Sequence, residues 1–289
     1  MFTGSIPALV TPFRDGLIDT SAFREFVAWQ IAEGSSALVP CGTTGEAATM
    51  SIHEHHQVID LTLEVADGRV PVIAGCGSYD TATALIHMRH SKAAGAAAAL
   101  VVCPYYNKPS QAGLYAHFAA LAEGCDLPTI IYNVPSRSVV DISVETIASL
   151  VADYPSIIGI KDATGNLTRV TAQRLACGIG FCQLSGNDDT ALAFNALGGV
   201  GCISVTANIA PRLSADFQAA SMAGDAQTAL RLNDRLYPLH VALFADSSPG
   251  PVKYALQQIG RMSAETRLPI TLPSEAARRA VDAALAGLG

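Results

Sequence analysis

Charge is scarce in this chain: Asp, Glu, Lys and Arg make up 15% of its 289 residues, while 50% are hydrophobic. Disordered chains have the opposite balance, so the composition excludes disorder. Basic residues are the scarcer sign, with 18 Lys and Arg against 25 Asp and Glu and a net charge of -7. Lacking a basic run, the chain has no electrostatic reason to hold nucleic acid or an anionic membrane surface. Long apolar runs are missing too. The longest, Ala93 to Cys103, stops at Pro104, short of the roughly 18–20 residues a membrane span needs. Met1 to Thr11 has no basic stretch and is interrupted by Pro7, unlike a secretory signal. The seven cysteines (41, 76, 103, 125, 177, 182, 202) are odd in number and form no CxxC pair. That predicts reduced thiols in a cytoplasmic protein, and the closely spaced ligands of a zinc site are absent.

What is present is an alternation. Short, β-branched-rich runs recur at Ser5–Val10, Ala37–Val39, Val70–Ala74, Ala98–Val102, Thr129–Asn133, Ile157–Lys161, Cys182–Ser185 and Val200–Val205. Helical spacing fills the intervals, as in Phe23, Phe26, Val27 and Ile31, and Ser51 with Glu54 forms a capping box that opens another helix. Continuous apolar strands separated by helices predict a parallel sheet covered on both faces. Eight such units predict an α/β fold, a (β/α)8 TIM barrel, over residues 1–224. No GxGxxG or GxxxxGK[ST] follows the first strand, so an open nucleotide-binding sheet lacks its fingerprint. Beyond Gly224 the strand pattern ends. Ala226–Leu243, Pro251–Ile259 and Ser274–Leu288 predict a three-helix extension, placed as a second unit over residues 225–289.

In such a barrel the C-terminal strand ends converge on one mouth, where chemistry collects. Those positions hold Gly42-Thr43-Thr44-Gly45-Glu46, Tyr105-Tyr106-Asn107, Tyr132-Asn133, Lys161-Asp162 and Gly186-Asn187-Asp188. Lys161 ends an apolar strand. Burial disfavours an ammonium ion, and a neutral amine condenses with ketones to a Schiff base. A lysine snorkelling out of the barrel, or paired with Asp162, fits the same residues. Tyr132 ends the neighbouring strand and is either a proton shuttle beside Lys161 or a filler of the barrel layers. The GTTGE loop offers backbone N–H groups and two hydroxyls to a small carboxylate, although Gly and Thr also build ordinary loops. Arg137 could fork onto a second carboxylate or stand in solvent. His53-Glu54-His55-His56 is not HExxH and has no third ligand nearby; it reads as ordinary helix, without a metal.

The strings GTTGE (42–46), PYYNKPSQ (104–111), YNVPSR (132–137), GIKDATGNLTR (159–169), SGND (185–188), GGVGCISVTAN (198–208) and PVKYAL (251–256) carry a resemblance along the whole chain. They resemble the 4-hydroxy-tetrahydrodipicolinate (dihydrodipicolinate) synthases, in the superfamily of pyruvate-dependent aldolases and sialic acid lyases. Lys161 and Tyr132 are the superfamily's marks. Arg137 is the discriminating residue, because sialic acid lyases carry others after the tyrosine strand. The resemblance implies a lyase that condenses pyruvate with L-aspartate 4-semialdehyde in lysine and diaminopimelate biosynthesis. It needs no cofactor, since a Lys161 imine is the electron sink. Tyr132 would move protons in a relay with Thr43 and with Tyr106 of a neighbouring subunit. Thr44 and the backbone of Ile203 would hold pyruvate, Arg137 would hold the semialdehyde, and Gly186 and Asn187 would complete the substrate site. A shared tyrosine implies at least a homodimer, and the family's usual assembly is a tetramer built as a dimer of dimers.

One departure stands out. Lysine-inhibited relatives bind the effector through a histidine, an asparagine and a glutamate whose matching positions here are Ile52, Tyr79 and Thr83, while His55 and Tyr105 are retained. An isoleucine cannot replace a hydrogen-bonding histidine, so weak or absent lysine feedback is expected. Three other readings use parts of the same pattern: a sialic acid lyase or 2-keto-3-deoxy sugar acid aldolase, a non-catalytic ligand-binding relative, and a phosphate-binding barrel built on the Gly198-Gly199 turn. Arg137 argues against the first, the intact lysine, tyrosine and threonine set against the second, and the lack of a nearby basic residue against the third.

Overall fold

The computed structural model describes residues 1–288. Its strands are β1 (Gly4–Pro7), β2 (Phe13–Arg14), β3 (Leu17–Ile18), β4 (Ile73–Gly75), β5 (Ala98–Val102), β6 (Thr129–Asn133), β7 (Ile157–Asp162), β8 (Cys182–Ser185) and β9 (Gly201–Ser204). Seven of them pair in parallel in the order β1-β9-β8-β7-β6-β5-β4. The predicted strand at Ala37–Val39 closes the ring without becoming a regular strand. Single parallel bridges join Ala8 to Val39 and Leu38 to Val72. Backbone bonds run to both sides of it, from Val39 N–H to the Pro7 carbonyl and from Ile73 N–H to that of Leu38, at 3.0 and 2.8 Å. The result is the (β/α)8 TIM barrel.

Two apolar layers follow from the alternation of strand side chains. Ile6, Val39, Ile73, Leu100, Ile130, Leu184 and Ile203 fill the barrel interior. Phe23, Phe26, Ile59, Met88, Phe118, Ile131 and Ile160 pack between the strands and the surrounding helices. Those helices are α1 (Thr20–Ala32), α2 (Ile52–Ala66), α3 (Thr81–Ala94), α4 (Gln111–Gly124), α5 (Pro135–Ser138), α6 (Val144–Asp153), α7 (Thr168–Cys177), α8 (Ala191–Ala196) and α9 (Pro211–Met222). The expected capping box is formed: the Ser51 hydroxyl accepts from Glu54 N–H, and Ser51 N–H donates to the Glu54 carboxylate.

The last three helices, α10 (Ala226–Ala242), α11 (Gly250–Gln258) and α12 (Glu275–Ala286), lie within two residues of their expected bounds. No helix among the described residues is long and apolar enough to cross a membrane. Sequence reasoning missed the β2–β3 hairpin. Its turn is Asp15-Gly16, both with positive φ (53° and 77°), the Asp-Gly pair that a two-residue hairpin turn favours. Arg137, expected in an open loop, sits instead in the single-turn helix α5, where Pro135 supplies the preset φ of a first helical position.

Candidate active site

Lys161 stands where β7 reaches the barrel mouth, in register with Tyr132 of β6 and Leu184 of β8. Both neighbours belong to the inner layer. A bulge sets that face. Thr129 pairs with Ile157 but Ile130 pairs with Gly159, so β7 carries one extra residue and its alternation shifts there. Ile158 and Lys161, three apart, consequently both face inward. Glycine is needed at the bulge, because a Cβ on Gly159 would run into the Cys182 carbonyl oxygen.

The Lys161 side chain is buried, with Nζ 4.3 Å from the centroid of the Tyr132 ring. Asp162 does not neutralise it. Its carboxylate faces the helix layer, where Oδ2 accepts from Arg169 Nε at 3.0 Å and Gln173 Nε2 at 2.8 Å, and Oδ1 from Thr164. Among the described residues no carboxylate lies within ion-pair distance of Lys161. Snorkelling and the Asp162 salt bridge are therefore both set aside. The lysine is an inward amine beside a phenol.

A cavity of roughly 400 Å³ opens on the Tyr132 side of this pair, and neither Lys161 nor Thr44 is among the residues that line it. Its wall brings together Tyr132, Thr43 and Arg137, with Gly42 and Ser138 between them. Thr43 is exposed at the loop tip and Thr44 is buried beneath it. The loop is tightly wound: Gly45 N–H donates to the Gly42 carbonyl, Glu46 N–H to that of Thr43, and the Thr11 hydroxyl to that of Gly45, at 2.9 to 3.1 Å. Cys41 and Glu46, at its two ends, hold left-handed backbone conformations with φ of 56° and 58°. These are uncommon outside glycine and persist only where surrounding contacts over-determine them. Arg137 is exposed, and among the described residues it has no carboxylate partner. Its fork is open to an anion entering the cavity.

Other expected positions are placed apart from that wall. Ile203 is fully buried in the inner layer on β9, so only its backbone could meet a ligand. Gly186 and Asn187 follow β8; Asn187 lines a shallow crevice with Asp162 and Thr164 rather than the main cavity. Tyr106 is 91% exposed, with φ at 69°, and is not among the residues that line the cavity.

The far end of the cavity is lined by Ile52, His55, Tyr79, Thr83, His87 and Tyr105. All the positions matched to lysine binding thus converge. His55 is corrected from an ordinary helix residue to a cavity residue. Its ring stacks on His87 at 3.8 Å, and burial together with the neighbouring imidazoles pushes His55 down to about 3 and His87 to about 4. His87 went unnoticed in the sequence, where only its helical spacing marked it. No cluster of three or more His, Cys, Asp or Glu among the described residues is arranged to hold a metal ion. All seven thiols are free. Cys41 lines the cavity, and burial pushes its thiol well up, which leaves it protonated and unreactive.

A second buried lysine escaped the sequence reading. Lys253, in the PVKYAL string, lies on α11 with no exposed area. It ion-pairs with Glu46, donates to the Glu265 carbonyl at 2.8 Å and stands 4.0 Å over the Phe13 ring. Burial lowers its pKa to about 8 against the opposing pull of Glu46. The apolar residues Val252, Ala255 and Leu256 around it were the available sign that this lysine faces inward.

Known proteins share this architecture. The profile of the "Dihydrodipicolinate synthetase family" matches residues 1–287. A 4-hydroxy-tetrahydrodipicolinate synthase of Rhizorhabdus wittichii is 65% identical over 290 aligned positions, covering 100% of this chain and 99% of the relative. That of Zymomonas mobilis is 64% identical, with 99% and 98% covered. The chloride-inhibited dihydrodipicolinate synthase of Acinetobacter baumannii, solved in complex with pyruvate, superposes with a TM-score of 0.97 at 45% identity, with 100% and 99% covered.

Proposed function

This chain belongs to the dihydrodipicolinate synthetase family, and from that premise we propose that it is the lyase that condenses pyruvate with L-aspartate 4-semialdehyde. The observation that carries the reading is the unpaired, buried Lys161 amine stacked on Tyr132 at the barrel mouth. Lys161 Nζ adds to pyruvate C2, and loss of water leaves the imine. A proton leaves the methyl carbon, giving an enamine whose electron pair attacks the aldehyde carbon of the second substrate. The amino group of that substrate then adds to C2, displaces Lys161 and closes the ring as 4-hydroxy-tetrahydrodipicolinate. The imine nitrogen is the electron sink, so no cofactor takes part.

In this reading Tyr132 carries protons between the imine and the substrate, relayed by Thr43 and by Tyr106 from a neighbouring subunit. The exposure and left-handed backbone of Tyr106 support such a donation. The active form is thus a homo-oligomer, at least a dimer and in full a dimer of dimers. Thr44 and the Ile203 backbone receive the pyruvate carboxylate, with Gly186 and Asn187 closing the mouth. Arg137 receives the semialdehyde carboxylate. The enzyme works in the cytoplasm, where seven free thiols stay reduced.

Borohydride reduction in the presence of pyruvate tests the core of this reading. Peptide mapping is expected to place the pyruvate adduct on Lys161. An adduct on Lys108 or Lys253, or none, would remove the basis for the site. Feedback by lysine is weak or absent, because the apolar Ile52 and the uncharged Tyr79 and Thr83 line the far end of the cavity and offer an amino-acid effector no ionic partner. Strong inhibition at low lysine concentration would overturn that part alone.

A further inference from the structure

Glu46 closes the Gly42–Glu46 loop, and everything that holds its carboxylate comes from the last forty residues of the chain. Lys253 of α11 forms the ion pair with Oε1. Arg267, in the segment between α11 and α12, donates its backbone N–H to Oε2 at 2.9 Å. The Arg267 guanidinium continues around the loop, reaching the Thr49 carbonyl at 3.2 Å, Glu54 at 3.1 Å and the Gly16 carbonyl at 2.7 Å. Phe13 lies between the two cations, with Lys253 Nζ 4.0 Å and Arg267 Cζ 4.3 Å from its ring centroid. Glu265 ties the same segment to the hairpin turn by accepting from Asp15 and Gly16 N–H at 3.0 and 2.7 Å.

Two features separate this cluster from a merely stabilising one. A buried ion pair is a poor source of stability, because desolvating both charges offsets most of their attraction. Here it sits on the residue that ends the loop in a left-handed conformation, as Cys41 does at the other end, so that the loop presents Thr43 and Thr44. Lys253 and Glu46 are paired with each other, and with the Glu265 carbonyl and the Arg267 N–H, so neither charge is open to a substrate. We propose that Lys253 and Arg267 are positioning residues for the pyruvate-carboxylate loop, acting through Glu46, so that the C-terminal helical segment sets how well the barrel holds its first substrate.

This inference rests on the pyruvate reading of the loop, and its test keeps the two apart. Imine formation is titrated with pyruvate, trapped with borohydride and read by intact mass, in the wild-type protein and in the double variant Lys253→Met with Glu46→Leu. The double variant removes both charges and leaves two apolar side chains beside Phe13, which avoids stranding one buried ion. The expected result is a half-saturating pyruvate concentration raised about tenfold, within the roughly 10²-fold that a 1 Å misplacement remote from the chemistry can cost. In steady state the KM for the semialdehyde stays close to wild type, while kcat falls, because Thr43 of the relay lies on the same loop. A purely structural cluster would lower the melting temperature and leave the pyruvate half-saturation of the folded enzyme unchanged, and that outcome overturns the proposal. Should the double variant not fold, Glu46→Gln supplies the same readout: a several-fold rise supports the clamp, and none overturns it. If the wild-type protein itself takes no pyruvate onto Lys161, the functional reading and the clamp fall together.

Discussion

Two lysines are buried in this chain, and only one of them is built to react. Lys161 and Lys253 each lie against an aromatic ring, with Nζ at 4.3 Å from Tyr132 and 4.0 Å from Phe13. Around Lys253 the site is filled: Glu46 supplies a counter-ion and the Glu265 carbonyl takes a hydrogen bond. Lys161 has no carboxylate partner among the described residues, and its ring neighbour lines an open cavity. Desolvation alone therefore does not make a nucleophile. The amine must also lack a fixed counter-ion and face a space that a ketone can enter.

Exchanging each lysine for methionine is the most direct way to break the comparison, and opposite outcomes are expected. Lys161→Met should abolish the borohydride adduct and turnover while leaving the fold at least as stable, since it removes an unpaired buried amine. Lys253→Met should keep the adduct on Lys161 but lose roughly 3–5 kcal/mol of stability, because Glu46 is left as an uncompensated buried charge. Urea unfolding beside intact mass measures both. An adduct that survives in Lys161→Met, or a Lys253→Met protein as stable as wild type, would show that the two sites have been assigned the wrong way round.

The sequence made Lys161 legible and left Lys253 hidden for a physical reason. Lys161 ends a run of apolar residues that can only be a buried strand, so its position on the barrel follows from periodicity. Lys253 lies in a short helix with a proline in its first turn, and its inward direction depends on Glu46, which is 207 residues away (253 minus 46). No local pattern reports such a partner. The bulge at Ile158–Gly159 was equally invisible, because alternation read from sequence assumes an unbroken register. Helices α10 to α12 emerged nearly at their observed bounds, since amphipathic spacing and caps are local. The hairpin at Asp15-Gly16 carried a local signal too, but its two-residue strands were too short to stand out.

Substitutions that spare Lys161 sharpen the picture of what surrounds the reactive amine. Tyr132→Phe keeps the ring against Lys161 and removes the hydroxyl. It should still form the pyruvate adduct, more slowly, while kcat falls by about 10²–10³-fold, the usual range for a lost general acid or base. A kcat within a factor of about two of wild type would reduce Tyr132 to packing and place the shuttle elsewhere. Arg137→Ala should leave pyruvate half-saturation alone and lower kcat/KM for the semialdehyde by about 10- to 100-fold, since hydrogen bonds to charged groups contribute roughly 1.5–3 kcal/mol. If pyruvate binding fell instead, the two carboxylate sites would have to be interchanged.

The smallest effect concerns burial of cations without a reaction to serve. Burial, the largest cause in each case, lowers His55 to about 3, His87 to about 4 and His117 to about 4. In an unfolded chain these imidazoles titrate near 6.5. Between pH 6.5 and about 4 the unfolded chain therefore binds more protons than the folded one, and stability falls as the pH drops through that window. Glu54 adds a second stage with the same sign. Its hydrogen bond from Arg267 lowers it to about 2, so its contribution is complete above about 4.5 and is lost as pH falls toward 2. Urea midpoints measured from pH 7.5 down to 3 should decline in two steps. His117→Gln, which keeps a polar group near Thr81 without the titration, should flatten the first step only. Glu54→Gln should flatten the second. If His117→Gln left the first step as steep as before, the His117 imidazole would have to be charged in the folded protein. The burial argument that separates Lys253 from solvent would then not extend to His117.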